Sequence, residues 1–133
     1  MLSYSLEIVG VYIGLNLLIN LILAYRVSAA RMRSNVMTGT GEDTGLYNAN
    51  RAHVTNAEYT PIVLIGLVGL HLLSGSIYVI HAAGLFLTVG RVLHAFGLTT
   101  AASQSTPPRL VGTLLTWFAQ LIAGLGCLYY ALI

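Results

Sequence analysis

Three stretches of this chain carry no charged side chain, and their lengths constrain its fold more than any other feature. Ile8–Tyr25 runs for 18 residues, Tyr59–Gly90 for 32 and Leu110–Ile133 for 24. A helix needs about 20 apolar residues to cross the hydrocarbon of a bilayer. The first run just suffices, and the middle one is too long for a single crossing. It is interrupted by LSGSI, Leu73–Ile77, whose Ser-Gly-Ser cluster reads as a turn. Four helices follow, over about residues 5–33, 50–73, 77–98 and 109–132. The expected fold class is all-α: one integral membrane four-helix bundle spanning residues 1–133.

Composition agrees with that reading and removes others. Charged residues make up 8% of the chain, against about 25% in a soluble domain, and mean hydropathy is +0.80. The net charge of +2 comes from six arginines without a lysine and is too small to imply a nucleic-acid partner. The lone Cys127 excludes an internal disulfide and a cysteine-built metal site, and no metal is expected. Signal peptides open with a positive segment, whereas the charge ahead of the first apolar run is Glu7. That run reads as a retained helix. GVYIG, Gly10–Gly14, has the small-xxx-small spacing that lets helices approach closely in lipid.

Arg26, Arg31 and Arg33 lie in the first loop and Arg109 at the end of the third. By the positive-inside rule both long loops face the cytoplasm and both termini face away. GTGEDTGLYN, Gly39–Asn48, reads as a polar connection between helices.

The polar residues that do not belong in lipid carry the functional signal. In NRAHVTNAEYTPIVL, Asn50–Leu64, the residues Arg51, Thr55 and Glu58 recur at i, i+4 and i+7 and share a helix face, with Tyr59 on its flank. Pro61 withholds a backbone donor from the carbonyl of Ala57 and should bend the helix. Arg91 and His94 share a face of the third helix. A charge at the bilayer centre costs about 2.5–3.5 kcal/mol on insertion scales, and such residues turn inward, toward a cavity or one another. One reading is an ion-pair network that locks two helices together. The other is a ligand site, and the excess of arginine over acid favours it. Arginine grips carboxylates with a planar fork and stabilises a neighbouring thiolate. A thiol peptide with two carboxylates and one ammonium, glutathione, fits that set of charges.

RAHVTNAEYTP resembles the second-helix signature of the MAPEG family, the membrane-associated proteins of eicosanoid and glutathione metabolism. The likeness extends to GRVLHAFGL (Gly90–Leu98), to PPRL (Pro107–Leu110) and to RMRSNVMTGTGE (Arg31–Glu42), the last as in bacterial members. The resemblance implies a homotrimer with glutathione, as co-substrate, at each subunit interface near the cytoplasmic side. It implies that Arg31, Arg51, His53, Thr55, Glu58, Tyr59, Arg91 and His94 bind glutathione and that Arg109 stabilises its thiolate. Two positions depart from the family pattern. Thr55 stands where the family has asparagine, with Asn56 one place late, and Leu98 stands where many members have tyrosine.

Other polar residues have plainer readings. His71 and His81, flanking the outer turn, read as interfacial. Tyr4, Tyr12, Tyr129 and Tyr130 read as an aromatic belt. Trp117 reads as a filler of lipid-facing or interhelical surface, and Cys127 as an inert packing thiol. Arg26 and Arg33 read as snorkelling anchors.

The leading expectation is a glutathione-dependent transferase or peroxidase of the bacterial inner membrane, acting on lipophilic electrophiles or lipid hydroperoxides, with lipids as its surroundings. The alternatives are a non-catalytic relative that binds lipid or glutathione, and a small proton-coupled exporter built on Glu58. The arginines near Glu58 count against the exporter, because they would hold that carboxylate ionised.

Overall fold

The structure, a computed structural model, describes residues 2–100 and 106–133; Met1 and the middle of the last connection, 101–105, lie outside the described residues. Four helices follow one another: α1 (Leu2–Ser34), α2 (Thr44–Leu72), α3 (Ile77–Thr100) and α4 (Pro107–Leu132). α2 and α3 each touch all three other helices, while α1 and α4 flank them without meeting. The most extensive contact is between α3 and α4.

Among the described residues, three helices are long and apolar enough to cross a membrane: α1, α3 and α4. α2 is long enough, at 29 residues, but its first half carries Asn50, Arg51, His53, Asn56 and Glu58. Its polar residues Thr55, Asn56 and Thr60 are buried inside the bundle. The outer faces are correspondingly apolar: Leu18, Leu21 and Ile22 of α1 and Phe118, Leu121 and Leu125 of α4 are all more than half exposed. This is the arrangement of a protein whose solvent is lipid.

Lipid is as apolar as leucine, so helices in it associate through close packing and hydrogen bonds. α1 supplies the bonds along one face. The Ser5 hydroxyl meets His71 Nδ1 at 2.7 Å, and the Tyr12 hydroxyl meets His81 Nδ1 at 2.9 Å. Asn16 Nδ2 donates to the Thr88 hydroxyl at 3.0 Å. Asn56 Nδ2 donates to Asn20 Oδ1 at 3.1 Å. Tyr12 is thus a core residue, 8% exposed, and not part of an aromatic belt. Close packing does not come from the glycines of GVYIG, because a Cβ on Gly10 or Gly14 would meet nothing within 4 Å. It comes from glycines of α3, where a Cβ on Gly84 would run into the Tyr12 ring and one on Gly97 would lie 2.5 Å from the Arg109 backbone nitrogen.

The turn at Ser74–Ser76 falls where the sequence places it. Ser74 takes a left-handed φ of 57°, and the Gly75 amide closes on the Leu70 carbonyl at 2.8 Å. The start of α2 differs by two turns from the reading that began it near residue 50. Asp43 caps it at Thr44, its carboxylate accepting the Leu46 amide at 2.9 Å and the Ser34 hydroxyl. α4 opens on Pro107, at a position where proline's missing donor costs nothing. The Thr106 hydroxyl before it bonds the Gly97 carbonyl at 3.1 Å and so pins α4 to α3.

The Asp43 cap gives a pH prediction. The Ser34 hydroxyl, and next the Leu46 amide, hold its carboxyl below the usual range. A depressed group stabilises the fold above its unfolded value, about 3.9, and that stability is lost as pH falls through the folded value. The hydrogen-exchange protection factor of the Leu46 amide, measured in detergent micelles, should therefore be full at neutral pH and fall below about pH 4. Asp43→Ala should lower it at neutral pH and remove the acid-dependent fall; protection unchanged in that variant would show the cap to be idle.

Candidate functional site

The spacing on α2 brings Arg51, Thr55, Glu58 and Tyr59 to one side of the helix, facing α3 and α4. Arg91 and His94 of α3 and Arg109, Thr113, Thr116 and Trp117 of α4 complete a cleft of about 180 Å³. Three guanidinium groups and one carboxylate line it. Taking His94 as neutral, the sum is +2. Arg51 and Glu58 stand exposed on the rim, while Arg91 and His94 are 2% and 5% exposed at the back.

Arg91 is the unusual member. Its Nη1 donates to the Thr55 carbonyl at 3.2 Å, and its guanidinium lies 5.7 Å from the centre of the Tyr59 ring. Both partners are uncharged. Its Nε is buried without a hydrogen-bond partner among the described residues. A buried donor left unsatisfied costs about 1–3 kcal/mol, and buried charges are otherwise paired. An arginine held this way is short of an anion. His94, beside it, lines the same cleft as Arg51 and Arg109.

The helix face explains the departure at positions 55 and 56. Thr55 lines the cleft, whereas Asn56 lies about 100° further round and is committed elsewhere. Its amide donates to Asn20, and its carbonyl accepts the Thr60 hydroxyl at 3.0 Å. Leu98 is 3% exposed in an apolar cluster with Leu23 and Ala52, so no polar group reaches the cleft from that position.

Seven of the residues singled out in the sequence thus share one cleft: Arg51, Thr55, Glu58, Tyr59, Arg91, His94 and Arg109. Two do not join them within this chain. Arg31 Nη1 donates to the carbonyls of Val36, Met37 and Gly39, the last at 2.7 Å, and so holds its own loop. His53 is half-buried and, two residues from Arg51, points about 200° away from it. Conversely, Thr113 and Thr116 also line the cleft without having been singled out in the sequence, and Trp117 lines it although it reads there as a surface filler. They repeat at i+4, i+7 and i+8 from Arg109, a signal present in the sequence. The two threonine hydroxyls donate back to the carbonyls of Arg109 and Gly112, at 2.9 and 2.8 Å, which leaves their oxygens free to accept.

The sequence profile of the MAPEG family matches residues 9–129, nearly the whole chain. The chain belongs to the MAPEG family. This MAPEG chain is similar to inner membrane protein YecN of Escherichia coli K12, with 27% identity over 121 residues that cover 91% of this chain and 90% of that protein. YecN of Escherichia coli O6:H1, strain CFT073, matches to the same extent. No solved structure matches. Family membership, with three apolar helices, makes this a multi-pass membrane protein of a family whose function is glutathione-related.

Proposed function

We propose that this MAPEG protein is a glutathione-dependent transferase or peroxidase acting on lipophilic electrophiles or lipid hydroperoxides. The single observation that carries the reading is the cleft with a net charge of +2 and a buried, under-bonded Arg91 at its back. Glutathione with a neutral thiol carries −1, from two carboxylates and one ammonium. As a thiolate it carries −2 and matches the cleft charge for charge. Glu58 takes the ammonium, Arg51 and Arg91 the carboxylates, and Arg109 the sulfur. The thiolate then attacks an electrophilic carbon, or a peroxide oxygen, presented from the bilayer, and the leaving group departs with the bonding pair.

Ligand pockets are usually about 300–1000 Å³. A cleft of about 180 Å³ therefore encloses part of a tripeptide and leaves the remainder at the rim. A homotrimer in which a neighbouring copy covers that rim is part of the proposal, and such a copy could supply Arg31 or His53. The name of YecN supports placing the protein in an inner membrane. The arginine-rich ends then face the cytoplasm and both termini the periplasm.

The test is a calorimetric titration of the detergent-purified protein with glutathione. Arg51→Ala and Glu58→Gln should each weaken binding by about 5–30-fold, the effect of about 1–2 kcal/mol lost from a partly exposed charged contact. Unchanged affinity in both variants would remove the α2 face from the site. Burial of Leu98 in an apolar cluster favours one second reading, a binder without catalysis, since no tyrosine hydroxyl assists the sulfur. The two readings separate on mixing: the enzyme shows the ultraviolet absorbance of a bound thiolate, and the binder takes up glutathione without it.

A further inference from the structure

A second pocket, of about 380 Å³, opens between α1, α2 and α3 at the arginine-bearing end of the bundle. It is lined by Tyr25, Arg26, Arg33, Asn48, Leu98 and Thr99, and shares no residue with the cleft. We propose that it binds the phosphodiester of an anionic phospholipid.

The charges of the pocket are uncommitted. Arg31, between its two arginines, is taken up by three loop carbonyls. Neither Arg26 nor Arg33 donates a hydrogen bond to a described residue. A neighbouring acid, Asp43, contributes to the field at Arg33 while its carboxylate holds the Ser34 hydroxyl and the Leu46 amide. Two arginines less one carboxylate leave +1, the complement of one phosphodiester. Gly45, in the first turn of α2, also lines the pocket, so the positive end of that helix faces the same space.

The occupant is a lipid and not a free phosphate because the pocket continues into an apolar stripe. Arg26 and Arg33 are seven residues apart on one face of α1, and Ile22 and Leu18 extend that face by one and two turns. Ile22 and Leu18 are 59% and 60% exposed. α1 has 33 residues, about 50 Å of helix against about 30 Å of hydrocarbon. Its arginine-bearing end therefore reaches the headgroup layer. Leu98, Ala29 and Ala49 add apolar lining to the pocket itself. Basic pockets between helices on the cytoplasmic side are a recurrent means of holding acidic headgroups.

The test is native mass spectrometry of the delipidated protein, titrated with phosphatidylglycerol and with phosphatidylcholine of matched chains. Phosphatidylglycerol should bind about 30-fold more tightly, as two arginines near a membrane surface imply. Arg26→Gln combined with Arg33→Gln should bring it down to the phosphatidylcholine level, and Arg31→Gln should leave the preference intact. The thermal midpoint in phosphatidylcholine should be the same for the double variant as for the unaltered protein, which checks that the double variant is folded. Equal binding of the two lipids, or a preference that survives the double variant, overturns the proposal. Displacement of phosphatidylglycerol by millimolar glycerol phosphate would make the ligand a soluble phosphate and overturn it equally.

Discussion

Arg109→Ala should lower kcat for conjugation of glutathione to a lipophilic aryl halide by about 10²–10³-fold, the effect of removing one donor aimed at a developing or stabilised anion. Glutathione affinity should change little. Without Arg109 the cleft carries +1, which still matches glutathione in its thiol form; what is lost is the match to the thiolate. The ultraviolet signal of bound thiolate should therefore disappear at neutral pH and return only in more alkaline solution. Position strengthens the argument. Arg109 lies in the first turn of α4, which contains no acidic residue, so the helix's own partial positive charge adds to the guanidinium. A variant with weaker binding but an undiminished thiolate signal would make Arg109 a carboxylate clamp and move sulfur activation elsewhere.

Why the cleft was legible in the sequence, and where legibility stopped, comes down to the range over which each signal acts. Arg51, Thr55 and Glu58 are ordered by helical spacing alone, so their convergence follows once α2 is recognised. The spacing of Arg109, Thr113 and Thr116 is the same kind of signal, but threonines in an apolar helix carry no charge to draw notice. Tyr12 was placed at the membrane surface because its partner, His81, is 69 residues away and no local pattern joins them. The start of α2 was hidden by a cap: Asp43 supplies a helix terminus in a stretch whose glycines read as loop. Arg31 shows a different limit. A match to a family motif assigns it a ligand, whereas the turn at residues 36–39 offers its guanidinium three carbonyls within the same chain. The two glycines of GVYIG matched a packing motif and admit no neighbour in this chain, although Tyr12 between them is core, while the glycines that do admit a neighbour lie outside that motif.

Gly112 is the most consequential of those. A Cβ there would lie 2.5 Å from the Gly90 carbonyl oxygen and 2.5 Å from the His94 backbone nitrogen. Both are backbone atoms of α3, so relief requires the helices to separate and not a side chain to turn. Overpacking of this kind costs about 1–3 kcal/mol. Gly112→Ala should reduce stability in detergent by that amount, read as a lowered thermal midpoint, and should also weaken glutathione binding by about 10-fold or more. The second effect follows from position. Arg91 and His94 lie on one side of the contact and Arg109, Thr113 and Thr116 on the other, so any separation widens the cleft itself and lengthens every contact that spans it. Gly124→Ala, on the same helix, is the matched comparison: its Cβ would meet nothing within 4 Å. There the substitution only lowers the entropy of the unfolded chain and should stabilise by about 0.5–1 kcal/mol, with glutathione affinity unchanged. If Gly112→Ala and Gly124→Ala proved alike in stability and binding, the close approach of α3 and α4 would not be what sets the spacing of the arginines.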